Sequence, residues 1–493
     1  MPLLSEFLVV ALTTLGLLVP TGENDVLSDF RRAFRATRNP EQKHEQRLAA
    51  LNSVKDFNDP KLGMALVAAY GQVDEELGKR EGEHREYVLR LARNKALSMR
   101  EGINDPRLLL EVAMDRIMAL RPPASIGPVV EEALSNRKLP LTLRVECARL
   151  ARFLAGDVPS PITKLLSKRP RSPGDTLTLL TCAGALGPAG QPALKAALDT
   201  LSHQDAALRE AAFAALSTIG SAEGILPMIE RLEFEQEHTL KRLTASLQIL
   251  TGQKISSSLS AWSSWLKEAG QAHVQGQVPL GQGKAVVQTS APGGASYHGL
   301  PIEGESVLFV VDVSQSMHVM MARKNKAEEA EPESRLERAL TELSRTLQAL
   351  PPNMRFNIVA FAGRLELYAD ESVLASPDQI QEAITWLNAR KMNLGTRIHD
   401  ALEMAFHLSG RGVEDVYFNS SVDTIFLLTD GQPIVGSKTD PPAGILRPAK
   451  RWNLGGRVII HTVGLGDGVP VQFLKKLAKA HGGQFAHEKS KPK

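Results

Sequence analysis

Apolar positions along this chain follow two different rules. From about residue 40 to residue 270 they recur at i, i+3, i+4 and i+7, and Gly, Pro, Asp or Ser breaks the pattern every 12–18 residues. That is the period of amphipathic helices. Within this region LTLRVECARLARFLAG ends at Gly156, DTLTLLTCAGALG at Gly187, AALREAAFAALSTIG at Gly220 and HTLKRLTASLQILTG at Gly252, spacings of 31, 33 and 32 residues. A glycine after an Ala/Leu helix suits a left-handed C-cap. A second helical stretch follows each glycine, such as AEGILPMIERLEF. The predicted unit is helix–turn–helix, which buries its apolar face only when neighbours stack.

From Glu305 the rule changes. SVLFVVDVS is a continuous apolar and β-branched run that ends in polar residues, the pattern of a central parallel strand buried on both faces. Phe356–Phe361, Thr424–Thr429 and Arg457–Gly464 read the same way, and helical text alternates with them at Arg335–Leu350, Pro377–Ala389, Thr396–Leu408 and Val471–His481. Strand–helix alternation predicts a mainly parallel sheet with helices on both faces. The fold class is therefore multidomain: an all-α helical repeat solenoid at 25–270, a flexible Gln/Gly/Ser/Ala linker at 271–300, and an α/β Rossmann-like domain at 301–490.

Length and composition fit this division. The 493 residues are 43% hydrophobic and 23% charged but only 5% aromatic, so the cores are built from Leu, Ala, Val and Ile. A net charge of +3 from 58 basic and 55 acidic residues gives no concentrated basic character, and nucleic acid is not an expected partner. Two cysteines, Cys147 and Cys182, exclude a disulfide scaffold or a cysteine zinc cluster; both lie in helical text and read as buried thiols, with one bridge between neighbouring helices as the alternative. At the N-terminus FLVVALTTLGLLV, Phe7–Val19, carries no charge. It is short for a membrane span and resembles the apolar region of a secretory signal, although no Lys or Arg precedes it. Residues 1–22 are expected to be a signal peptide or membrane anchor. The protein is expected outside the cytoplasm or tethered to a membrane, with the cytoplasm as the alternative.

The sharpest chemistry lies at the ends of the predicted strands, where ligand sites of open α/β sheets form. The first strand runs into Asp312-Val-Ser314-Gln-Ser316, TIFLLT runs into Asp430-Gly431, and Thr396 opens a helix between them. Carboxylates with hydroxyls make an all-oxygen donor set, which hard cations prefer. No P-loop, H-E-x-x-H or G-x-S-x-G is present, and no His/Asp pair is placed to activate Ser314.

This ordered set resembles the von Willebrand factor type A domain and its metal-ion-dependent adhesion site, over about residues 303–488. Tyr297-His-Gly-Leu-Pro resembles the lead-in of bacterial members. The resemblance implies a divalent cation, Mg²⁺ first with Mn²⁺ or Ca²⁺ as alternatives, held by Ser314, Ser316 and Thr396 through hydroxyls and by Asp312 and Asp430 directly or through water. It implies a protein partner that presents Asp or Glu to the cation, no small-molecule substrate and no enzymatic activity. Gln315 departs from the family, which commonly has Gly there. Gln315, Met317 and His318 are expected to form the partner-binding rim, continued by the segment to Glu333. The helical half resembles HEAT-like repeats in fold, with Trp262 and Trp265 capping its last core and the repeats serving as a second protein-binding surface. A structural scaffold with an empty site is the alternative function; a metal-assisted hydrolase is a third.

Overall fold

The computed structural model describes residues 23–35, 43–55, 59–81, 106–121, 123–154, 156–235, 237–285, 295–302, 304–321, 333–390, 394–408, 422–435, 438–439, 442–453 and 456–489. The N-terminal apolar segment and residues 322–332 beyond the candidate metal loop lie outside them. The chain divides into two compact units, split between Ala189 and Gly190. No helix among the described residues is long and apolar enough to cross a membrane.

The first unit holds the helices from Glu23–Ala33 to Pro173–Leu186. Leu66, Leu109, Ile117, Val129, Leu143 and Leu150 fill its core. Two buried arginines pair with carboxylates inside it. Arg47 grips Glu76 with two nitrogens at 2.6 and 2.9 Å. Arg144 bonds the Ala133 carbonyl and Asp175, each at 2.9 Å. Cys147 and Cys182 are buried free thiols, as one of the two sequence readings had it, and burial pushes both thiols up, Cys182 to about 12.

The glycine spacing is visible in the backbone of both units. Gly156, Gly187, Gly220 and Gly252 all take positive φ, between 60 and 103°. Each follows a helical stretch: Leu141–Leu154, Pro173–Leu186, Ala206–Ile219 and Glu237–Thr251. Shorter helices follow them at Ser160–Leu166, Leu194–Thr200, Ile225–Arg231 and Leu259–Trp265. In the second unit Ala206–Ile219 packs on Glu237–Thr251, and Ile225–Arg231 on both Glu237–Thr251 and Leu259–Trp265. Trp262 is buried, donates to the Ser256 carbonyl at 2.8 Å and meets Trp265 edge-on, so it packs.

The stretch expected to be a flexible linker is ordered at both ends. Gln271–Val274 is helical, and the Gly281 and Gly283 amides donate to the Leu250 and Ile249 carbonyls at 2.8 Å. They satisfy carbonyls that a helix end leaves open. Further on, Ser296–Tyr297 and Leu300–Pro301 form a hairpin whose Tyr297 ring is buried against Phe309 and Phe426. The helices after Gly190 fall in one compact unit with the sheet. Arg242 donates to the Gly456 carbonyl at 2.6 Å, and Arg457 lies 4.0 Å from Glu210.

The sheet has seven strands. Five run parallel in the order Phe485–Glu488, Ile459–Leu465, Thr424–Thr429, Ser306–Asp312 and Arg355–Phe361; Leu365–Leu367 and Val373–Leu374 pair antiparallel with the last. Every residue of Ser306–Asp312 and Thr424–Thr429 is buried, as the unbroken apolar text requires of strands covered on both faces. Helices Arg335–Gln348 and Pro377–Asn388 cover one face; Ile398–Leu408, Ala443–Trp452 and Val471–Ala480 cover the other. The Asp423 carboxylate accepts the Glu305 and Ser306 amides at 2.7 and 3.0 Å and pins the start of the first strand.

Candidate functional site

The residues singled out from the sequence sit where the parallel strands end. Ser306–Asp312 lies between Arg355–Phe361 and Thr424–Thr429, so loops from adjacent strands open side by side. Asp312 is the last residue of its strand and is fully buried. One carboxylate oxygen accepts the Ser314 amide at 2.8 Å and the other accepts the Thr429 hydroxyl at 2.6 Å. The first of these bonds is an Asx turn that folds the chain back toward the strand end. Burial pushes the Asp312 carboxyl up to about 7, against the opposing pull of its hydrogen bonds from Ser314 and Thr429; the nearby Asp430 charge pushes the same way as burial.

The turn aims both serines at Asp430. Ser314 Oγ and Ser316 Oγ are 3.0 Å apart, and Ser316 donates to Asp430 Oδ1 at 2.7 Å. Ser314 and Asp430 are buried, whereas Ser316 is exposed. Thr396 is buried at the mouth of the loop that leads into helix Ile398–Leu408. Gly431 brings the three loops to one place: a Cβ there would lie 3.8 Å from Ser316 Oγ and 4.0 Å from Thr396 Oγ1. The donors are hydroxyl and carboxylate oxygens that face shared space beside a residue without a side chain, and this set suits a small hard cation.

The rim differs from expectation at one position. Gln315 and His318 are exposed, but Met317 is fully buried in the core with Val313, Leu336 and Leu343. The Gln315–His318 stretch is a single 3₁₀ turn. With three residues per turn its side chains spread around the axis, and the apolar one takes the inward side. Val319 and Met320, two and three residues further on, are exposed instead, as is Leu394 before Thr396.

Two groups at the site escaped the sequence reading. Thr429 closes a strand whose text is otherwise apolar, and its hydroxyl orients Asp312. Arg335 opens helix Arg335–Gln348, whose N-terminus is fixed by a capping box between Ser334 and Glu337. Side chains at a helix start lean back past the N-terminus, and Arg335 Nη1 reaches Asp430 Oδ2 at 2.6 Å. The short motif carried a signal for neither.

A second set of possible ligand atoms lies one helix turn away. His399, Asp400 and Glu403 are buried, with one ligand atom of each within 4.8 Å of the others. His399 Nδ1 is 3.2 Å from Asp400, the Arg397 guanidinium is 3.3 Å from the same carboxylate, and the imidazole packs edge-on against Trp452. This is the arrangement of an internal ion-pair network. His461 is likewise committed to packing: it stacks on Phe426 and its Nδ1 accepts the Gln484 amide.

The model of the von Willebrand factor type A domain matches residues 307–432. Mouse inter-alpha-trypsin inhibitor heavy chain 4 is 28% identical over 185 residues, 37% of this chain and 18% of the relative. The pig heavy chain H4 is 32% identical over 180 residues, 36% of this chain and 18% of the relative. The chain thus spans under a fifth of the length of these curated relatives. Among solved structures, a von Willebrand factor type A protein from Catenulispora acidiphila is 19% identical, with a TM-score of 0.29 over 37% of this chain and 38% of that one. The second half of this chain carries a von Willebrand factor type A domain, and a largely helical region precedes it.

Proposed function

We propose that the loops at the strand ends hold a divalent cation, Mg²⁺ before Mn²⁺ or Ca²⁺, and that the cation receives an Asp or Glu side chain of a partner protein. Ser314, Ser316 and Thr396 would offer hydroxyl lone pairs, and Asp312 and Asp430 would ligate directly or through water. The cation supplies the positive charge that a partner's carboxylate completes. Thr429 and the Ser314 amide hold Asp312 in one rotamer, and Gln315 and His318 line the approach. The observation that carries this reading is the convergence of Ser314, Ser316 and Asp430 within 3.0 and 2.7 Å, from loops of neighbouring parallel strands.

Binding is favoured over hydrolysis by the company these groups keep. A metal hydrolase needs a base to position water. His399, the buried histidine nearest Thr396 in sequence, is engaged with Asp400 and Trp452. The helical region supplies a second protein-binding surface in this account, where Leu226 and Phe234 are exposed. The N-terminal segment is proposed to direct export or tether the chain. A scaffold reading has its own support: Ser316, Asp430 and Arg335 already satisfy one another by hydrogen bonds.

Calorimetric titration of the full chain with Mg²⁺ and Mn²⁺, beside Ser314→Ala and Asp312→Asn, separates the two. Saturable binding that both substitutions abolish supports the adhesion-type site. Absence of binding by the wild type, with and without an added carboxylate, leaves the scaffold.

A further inference from the structure

Arg335 is placed unlike Arg338 on the same helix. Arg338, one turn along the same helix, is shared between Glu333 and Glu488 at 2.7 and 3.4 Å. Arg335 has a single carboxylate contact, Asp430, and its Nε is buried without a hydrogen-bond partner among the described residues. Its guanidinium lies flat against Gly466, at φ +86°, where a Cβ would come within 2.4–2.5 Å of Nε, Cζ and Nη2. Backbone shape and one ion pair hold it there, so the charge is fixed beside Asp430 rather than diluted in a network.

We infer that Arg335 is the internal counter-cation of Asp430, lowering the site's affinity for a metal ion and strengthening its demand for an external carboxylate. The inference rests on the proposed cation site. Asp312 and Asp430 are the two carboxylates of the donor set, and the guanidinium offsets one of them. A bound divalent cation then keeps net positive charge, which an incoming Asp or Glu neutralises. Metal and carboxylate must therefore bind with positive coupling, and the coupling is reciprocal. A fixed unit charge about 6 Å from a divalent ion shifts its binding by roughly tenfold even at the dielectric of bulk water, and by more at a near-surface dielectric.

The test is Mn²⁺ titration of the full chain, with and without excess acetate as the probe carboxylate, for wild type, Arg335→Gln and Arg335→Lys. Near-UV circular dichroism checks that each variant is folded. Arg335→Gln is expected to bind Mn²⁺ at least about tenfold tighter than wild type and to gain less from acetate, while Arg335→Lys stays near wild type. Unchanged or weaker Mn²⁺ binding by folded Arg335→Gln, or equal acetate coupling in it and the wild type, overturns the inference and leaves the cation site standing. Should Arg335→Gln not fold, wild-type Mn²⁺ binding that ignores acetate overturns it. Wild type that takes up no Mn²⁺ under either condition removes the cation site and the inference together.

Discussion

Asp312 gives the site a stability signature that needs no partner. In metal-free protein its carboxyl is buried and lies at about 7, against an ordinary value of 3.8 that the unfolded chain restores. The folded state therefore holds this proton over a range where the unfolded state has released it. The resulting stabilisation is fully present below about pH 4, declines as pH rises and is gone above about pH 7. At 1.36 kcal/mol per pH unit the gap is worth roughly 4 kcal/mol, an order-of-magnitude figure for one group. Asp312→Asn mimics the neutral form: its amide can accept the Ser314 amide and donate to the Thr429 hydroxyl. In chelator, the variant should match wild type near pH 4 and be more stable near pH 8 by up to roughly 4 kcal/mol. Urea unfolding followed by tryptophan fluorescence reads the difference, since all four tryptophans, Trp262, Trp265, Trp386 and Trp452, lie in the unit that holds Asp312. Equal stability of the two proteins at pH 8, or a difference that does not change between pH 4 and pH 8, would refute the assignment of a buried, proton-binding Asp312.

Other consequences follow from the same geometry. His481 runs opposite to Asp312: burial first, then the Lys450 charge, lowers its imidazole to about 4, so stability falls as pH drops from about 6.5 to 4. His481→Gln should remove that acid-side loss, about 3 kcal/mol, and only wild type–variant differences will show it because the two groups offset each other in the wild type. Thr429→Val deletes the hydroxyl bonded to Asp312 and should raise the Asp312 carboxyl further, by roughly 1–2 pH units for a hydrogen bond to a charged group, read as a shifted midpoint in the same pH series. Arg144→Met leaves Asp175 with the half-exposed Arg137 at 2.9 Å and frees the Ala133 carbonyl; it should destabilise the first unit by about 1–3 kcal/mol in urea unfolding while leaving Mn²⁺ binding intact. Gly283→Ala would put a Cβ 2.1 Å from the Gln248 carbonyl oxygen. It should free the 281–285 segment, measured as faster limited proteolysis there.

The parts of this structure that were legible in the sequence are those set by repeated local chemistry. The glycines at 156, 187, 220 and 252 were each expected to be a left-handed residue after a helix; all four take positive φ, and Gly220 is left-handed, whereas Gly187 departs with ψ −131°. The runs at Ser306–Asp312 and Thr424–Thr429 could only be strands covered on both sides. The short antiparallel strands Leu365–Leu367 and Val373–Leu374 gave too few residues for any period to show. Met317 was misplaced because adjacency to Ser316 says nothing about which way a 3₁₀ turn faces. Arg335 was out of reach for a different reason. Its partner, Asp430, is 95 residues away, and only the capping box at Ser334 and the bare Gly466 backbone bring the charge to it. The amides at Gly281 and Gly283, which close on helix carbonyls, likewise lie in text whose composition gives no sign of that pairing.

In the proposed site Asp312, Ser314, Ser316, Thr396 and Asp430 surround one cation. Anomalous diffraction from a crystal of the full chain soaked in Mn²⁺ tests it most directly. A single strong peak is expected between Ser314 Oγ, Ser316 Oγ and Thr396 Oγ1, at bonding distances of about 2.0–2.3 Å for a small hard cation. A peak at His399, Asp400 and Glu403 instead, or none at the strand ends in crystals also soaked with a carboxylate, would contradict it.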